Sequence, residues 1–320
     1  MMSRVIVMLV VVPVLLQNRD TVTPEERARM DAQNAALQDL ITRGERLGLT
    51  PAPVPVVKPT QPGWAMGMVS WAASDASGLT YLLQRGDQAD AVIVVDRAGA
   101  ILRSWGKGMF TTPHAIRVDP RGNVWTTDAA SSMVYKFSPA GELLMRIEVG
   151  GQPSPCGNFC STTDVAFAAD GRVFIADGYR NARILEYSAD GKKLNEWGSA
   201  GTGPGQFRLP HSIQIDANGV IYVADRENGR IQRFDQSGKF LGEWTTFGKT
   251  FCITLKGGAA WLSSIPRGPN NVPGWLIKVD PASGKMLGFV ESQGNHGMDV
   301  MPDGSLLHVP GPDLIPQRYQ

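Results

Sequence analysis

From about residue 64 onward, short apolar runs alternate with polar, glycine-containing turns, a rhythm that predicts strands rather than helices. The clearest stretch is LPHSIQIDANGVIYVADRENGRI at 209–231. It reads as an alternating strand, an Ala-Asn-Gly turn and a second strand that ends in Asp225. PHAIRVDPRGNVWTTDAASSMVYKFSPAGELLMRI from Pro113 and TTDVAFAADGRVFIADGYRNARILEYSADGKKLNEW from Thr162 repeat the order: strand, turn, strand ending in Asp, a third strand with an aromatic, another Gly turn, a fourth strand. The turn glycines Gly122, Gly171 and Gly219 are 49 and 48 residues apart, and Asp128, Asp177 and Asp225 keep those intervals. Four strands per unit at this period is the pattern of a β-propeller blade.

Weaker copies flank the three. Residues 64–105 carry YLLQRG, AVIVVD and ILRSW as strands, and 251–290 carry FCITLKGGAAWLSS and GWLIKVDPASGKMLGFV. HGMDVMPDGSLLHVPG supplies only the first two strands of a sixth unit, so its outer strands come from elsewhere in the chain or are absent. The expected fold is all-β, a six-bladed β-propeller over 63–320. A β-sandwich would not repeat one blade pattern at a near-constant period.

The segments before Gly63 follow other patterns. MMSRVIVMLVVVPVLLQNRD has one Arg and then an apolar run from Val5 to Leu16, the length of a signal-peptide core and too short to span a bilayer. Residues 1–20 are therefore expected to be a signal peptide or uncleaved signal anchor, and the protein exported, periplasmic or secreted. Residues 23–47 form a polar helical pattern with Pro24 at its first position and a Thr23-x-x-Glu26 capping box. PAPVPVVKPTQPG then reads as an extended spacer, so 21–62 is a helical extension and proline-rich linker.

Composition narrows the partners. With 31 basic against 30 acidic residues and a net charge of +1, the chain carries no electrostatic footprint for nucleic acid. The N-terminal apolar segment is the one candidate for membrane attachment, and a monomer is expected. Cys156, Cys160 and Cys252 allow at most one disulfide.

Eight residues before the turn glycines Gly122, Gly219 and Gly304 stand His114, His211 and His296. The intervening copies put Thr163 before Gly171, and Thr250 before Gly258 if that is the turn glycine. Three of the four histidines thus share one position at the mouth of the first strand, on alternate blades about 120° apart in a six-fold ring. Three converging imidazoles with an open fourth position suit a catalytic zinc, and also iron, cobalt or copper. His308 falls outside the register and reads as structural.

PHAIRVDPRGNVWTTD, FCSTTDVAF, ADGYRNARILEYSADGK, PGQFRLPHS and VADRENGRIQRF together resemble the peptidyl-α-hydroxyglycine α-amidating lyase family, over roughly Gly63 to Asp303. The resemblance implies an NHL-repeat six-bladed propeller with zinc on three axial histidines. It also implies lysis of a peptidyl-α-hydroxyglycine, a hemiaminal, into a peptide amide and glyoxylate. The substrate would be a peptide C-terminus hydroxylated by a partner enzyme. By the same resemblance Tyr179 of DGYxN is the base, Arg226 stabilises its phenolate, and Arg85 of LLQRGD pairs with the substrate carboxylate or hydroxyl.

The family's structural calcium would fall to the carbonyls of Ala72 and Ile116 and an Asp after the third histidine, but Gly297 stands there. The family cysteine after the catalytic tyrosine is Arg180, so Cys160 either pairs with Cys156 or both are free. Two other functions fit the pattern: a non-catalytic propeller that binds a protein or glycan, and a different metal-dependent hydrolase or lyase on the same scaffold.

Overall fold

A computed structural model describes residues 22–151, 157–270, 272–311 and 314–320; the expected signal segment at 1–20 and Cys156 lie outside the described residues. The described strands form six four-stranded antiparallel sheets and one short parallel pair, Ser199–Ala200 with Gln206–Phe207. Blade one starts at Val69–Ser74, blade two at Pro113–Val118, blade three at Thr162–Phe167, blade four at Pro210–Ile215 and blade five at Lys249–Lys256. Each of these five runs outward through the next three strands in sequence order.

Burial follows that order. Val69–Ser74 is buried at every position, whereas the outermost strand of blade three, Lys193–Trp197, is exposed at all but its last. Inner strands are covered on both faces by neighbouring blades, so they read as nearly continuous apolar runs. Inter-blade packing supplies the core, as where Trp71, Tyr81, Ile116 and Phe137 join one cluster.

The sixth blade completes itself from both ends of the propeller. Its inner strands are Met298–Val300 and Leu306–His308; its outer ones are Gln317–Tyr319 and Pro51–Pro53. Pro51 pairs with Tyr319 and Pro53 with Gln317. The proline-rich stretch read as a linker before Gly63 therefore belongs to the propeller wall. It sits on an edge, where a missing N–H costs no ladder bond. Just before it, Leu47 donates its backbone N–H to Phe289 O at the rim of blade five.

Helix α1 runs from Pro24 to Arg43 with Thr23 as its N-cap, Oγ1 accepting from Glu26 N at 3.2 Å. It ends at Gly44, before the Leu47 that the pattern suggested. Among the described residues no helix is long and apolar enough to cross a membrane.

Candidate metal centre and active-site cleft

Every inner strand of blades one to five breaks register at its mouth. The pairing skips Ser70, His114 with Ala115, Thr163, His211 and Phe251. A bulge re-aims the skipped residue, and at His114 and His211 it turns the imidazole into one cluster with His296. In blade five the skipped residue is Phe251, not Thr250. Its hairpin closes through only Gly257 and Gly258, between Lys256 and Ala259, and that tighter turn moves the count by one.

The two kinds of blade cooperate. His114 Nδ1 meets Thr163 O at 2.6 Å, His211 Nδ1 meets Phe251 O at 2.7 Å, and His296 Nδ1 meets Ser70 O at 2.7 Å. A carbonyl can only accept, so each Nδ1 carries the proton and each Nε2 keeps its lone pair. The ring centroids of the three histidines lie 4.9, 5.0 and 5.3 Å apart. Their ligand atoms all fall within 4.8 Å of one another, the one cluster of His, Cys, Asp or Glu among the described residues able to hold a metal. Burial, first of all, keeps all three imidazoles neutral: His114 and His211 titrate well below the usual histidine range, and His296 is pushed down to about 3. Three neutral, preoriented imidazoles fit a zinc-type ion with an open position.

The strand-ending aspartates hold the approaches. Asp128 accepts from Thr111 N at 2.6 Å and Thr112 N at 3.0 Å, immediately before Pro113 and His114. Asp225 does the same for Arg208 N at 2.7 Å, ahead of Pro210 and His211. Asp128 and Asp225 thus fix where His114 and His211 enter.

Tyr179 reaches this cluster because residue 178 is glycine: a Cβ there would stand 2.1 Å from Pro210 O. Its hydroxyl lies 2.8 Å from His114 Nε2 and 3.4 Å from His211 Nε2, and hydrogen-bonds the Arg226 guanidinium. Burial raises the phenol above its usual value, and the charges of Arg226 and Arg85 only partly offset this. Arg226 lies on a short 3-10 turn, Arg226–Asn228, with its guanidinium 4.7 Å from the Phe251 ring centroid and Nε bound to Glu227 Oε1 at 2.9 Å.

Arg85 donates from Nε to Pro113 O and from Nη2 to Ser70 Oγ, each at 2.9 Å, and stacks 5.2 Å from Phe159. Arg85, Tyr179, Arg226 and His296 line one cleft of about 530 Å³, with Phe159 and Phe251 among its apolar walls. His308 is buried in the wall of blade six, 3.4 Å from Ser263 Oγ, apart from the three.

The residues assigned to calcium do not form a cage for it. A Cβ on Gly297 would meet Trp71 Cδ2 at 2.6 Å, so the indole fills the space of the missing carboxylate. Beneath it Arg117 places a guanidinium 5.0 Å from the Trp71 ring, gripping Asp164 at 2.9 and 2.7 Å. A cation is already built into this level of the channel. Cys160 is disulfide-bonded, Cys252 is a free, buried thiol, and Arg180 is exposed.

Two of these residues carry a mark in the sequence. Ser70 obeys the minus-eight rule from Gly78, and Phe251 needed only the shorter hairpin. Phe159, Trp71 and Arg117 carried no mark before their neighbours were known.

Fold and site define a six-bladed β-propeller with a tri-imidazole centre on its axis. The chain is similar to proteins named peptidyl-α-hydroxyglycine α-amidating lyase. Lyase 2 of that name from Drosophila melanogaster is 31% identical over 251 residues, 73% of this chain and 60% of the fly protein. Peptidylglycine α-amidating monooxygenase of Rattus norvegicus is 36% identical over 200 residues, 52% of this chain, which spans only 20% of that protein. A family model described as a 6-bladed beta-propeller matches residues 161–259. Among solved structures, a streptogramin B lyase superposes with a TM-score of 0.59 at 16% identity, covering 85% of this chain and 97% of its own, a likeness of fold.

Proposed function

We propose that this protein is a metal-dependent carbon–nitrogen lyase that splits a peptidyl-α-hydroxyglycine into a peptide amide and glyoxylate. One observation carries the reading: three Nε2 lone pairs are turned to one point, with the Tyr179 hydroxyl 2.8 Å from one of them and two guanidinium groups alongside. Homologues named for amidation, aligned over most of the chain, support it.

His114, His211 and His296 would hold the metal, for which zinc is our assignment. Bound there it would supply Lewis-acid polarisation of the substrate oxygen. Arg85 and Arg226 orient and screen the glyoxylate half: Arg85 keeps N–H donors beyond those tied to Pro113 and Ser70, and a guanidinium fork matches a carboxylate. Tyr179, whose phenolate the Arg226 hydrogen bond and a bound cation would favour against the raising effect of burial, takes the proton of the substrate hydroxyl. The O–H electrons become the second bond of the glyoxylate carbonyl as the C–N bond breaks, and the departing amide nitrogen receives a proton. The sum is one proton moved from oxygen to nitrogen, with no oxidant and no water consumed. Phe159 and Phe251 give the cleft apolar walls against bulk solvent.

The peptide substrate would come from a separate hydroxylating step, and an exported location, with any membrane attachment through residues 1–20, belongs to the same proposal. Glyoxylate release from an N-acyl-α-hydroxyglycine tests it. Wild type should release glyoxylate and amide in equal amounts, and Tyr179→Phe and His211→Ala should not. Bound metal without glyoxylate would discard the substrate; equal rates in all three proteins would discard the site.

A further inference from the structure

Helix α1 is oddly made for a structural element. Of its twenty residues only Leu37 and Ile41 are buried, with Leu40 packed partly buried against the same cluster, and nearer its start the helix turns Arg29, Gln33 and Asn34 to the propeller. That polar face is committed to one place. Gln33 Nε2 donates to Asn228 O at 3.3 Å and Gly229 O at 3.1 Å, and Arg29 Nη2 donates to Asn228 Oδ1 at 3.2 Å. Asn34 closes a two-way pair with the Arg267 backbone, at 2.9 Å to its oxygen and 2.6 Å from its nitrogen. The Arg267 guanidinium then bonds Gln33 Oε1 at 2.8 Å and reaches the carbonyl of Glu227. It can pass there because residue 229 is glycine: a Cβ would stand 2.5 Å from Arg267 Cδ.

Asn228 and Gly229, gripped from α1, and Glu227, held through Arg267, are the three residues that follow Arg226. Glu227 also fixes the guanidinium itself, Oε1 accepting from Arg226 Nε at 2.9 Å while Oε2 pairs with Lys249 Nζ at 3.0 Å. The chain of contacts is continuous from the helix through Arg267 and the 227–229 turn to Arg226 and so to Tyr179.

We propose that α1 is a strut for Arg226, with Gln33, Asn34 and Arg267 as positioning residues that hold the Glu227–Gly229 turn in the geometry the cleft requires. This rests on the proposed role of Arg226 in the lyase reaction. The polar make-up of the helix then has a reason. The apolar contacts of Leu37, Leu40 and Ile41 dock only its C-terminal half, whereas paired amide and guanidinium contacts fix its register against one turn.

The test is Gln33→Ala/Asn34→Ala in the full chain. Alanine keeps the helix, and neither residue touches the metal centre. Since misplacement by about 1 Å can cost on the order of 100-fold in rate, kcat should fall about 10- to 100-fold, with KM and metal content near wild type. Amide hydrogen exchange over 226–229 should quicken, a readout that needs no substrate. Unchanged exchange, or wild-type kcat beside an inactive Arg226→Ala, overturns the strut and leaves the lyase reading standing. Full activity in Arg226→Ala instead removes Arg226 from the chemistry; faster exchange in the paired variant would still support the mechanical link.

Discussion

Replacing Arg117 with methionine isolates the axial ion pair. Arg117 and Asp164 have side chains 7% and 0% exposed and meet as a fork, Nε to Oδ1 at 2.9 Å and Nη2 to Oδ2 at 2.7 Å. The guanidinium also bonds Ile253 O at 3.2 Å, Thr254 Oγ1 at 3.3 Å and Ser212 Oγ at 3.3 Å, so it ties blades two, three, four and five together across the channel. Methionine fills much of the volume and removes the charge. Asp164 then keeps its bonds from Ser212 Oγ at 2.7 Å and Val165 N at 2.9 Å but loses its counter-ion. Breaking a buried pair from one side costs about 3–5 kcal/mol, whereas replacing both partners is often near neutral. Equilibrium unfolding in urea should show a loss of that size for Arg117→Met and recovery of most of it in Arg117→Met/Asp164→Asn. Because the guanidinium already supplies the axial positive charge, the wild-type midpoint should not move with calcium. A loss below about 1 kcal/mol, or a wild-type midpoint that climbs with calcium, would refute the reasoning.

Three further outcomes follow from the same geometry. Tyr179→Phe should lower kcat by about 100- to 10,000-fold, the range for a lost general base, with bound metal unchanged by elemental analysis. Gly178→Ala should drive a Cβ into Pro210 O, displacing both Tyr179 and the strand of His211; the expected cost is about 1–3 kcal/mol in an unfolding titration, with weaker metal retention in chelator competition. His308, lowered by burial to about 3, has a folded value below its unfolded one. Its contribution is therefore full above about pH 6.5 and lost as pH falls toward 3. His308→Leu should shallow the acid limb of stability by up to about 1.4 kcal/mol per pH unit.

The blade pattern was legible because its marks are local: alternating strands, a glycine with positive φ at each inner hairpin, such as Gly122 at +84° and Gly219 at +80°, and in the three clearest copies an Asp six residues after that glycine. The histidine register was legible for the same reason. What holds the histidines was less so, because the acceptors are the backbone carbonyls of Ser70, Thr163 and Phe251, and a carbonyl has no residue signature. Pro51–Pro53 has the sequence of a spacer because edge strands tolerate proline and need no alternation. The polar face of α1 has meaning only against the turn at 227–229, some 195 residues away in sequence. Trp71 fills the space beside residue 297 through packing, and in the sequence only the glycine marks it.

Metal content joined to product analysis tests the central claim most directly. Chain purified with zinc present and assayed on an N-acyl-α-hydroxyglycine should carry one metal ion per chain and yield glyoxylate and amide in equal amounts, with His211→Ala losing both. Less than one metal per chain after zinc supplementation, and no glyoxylate, would contradict it.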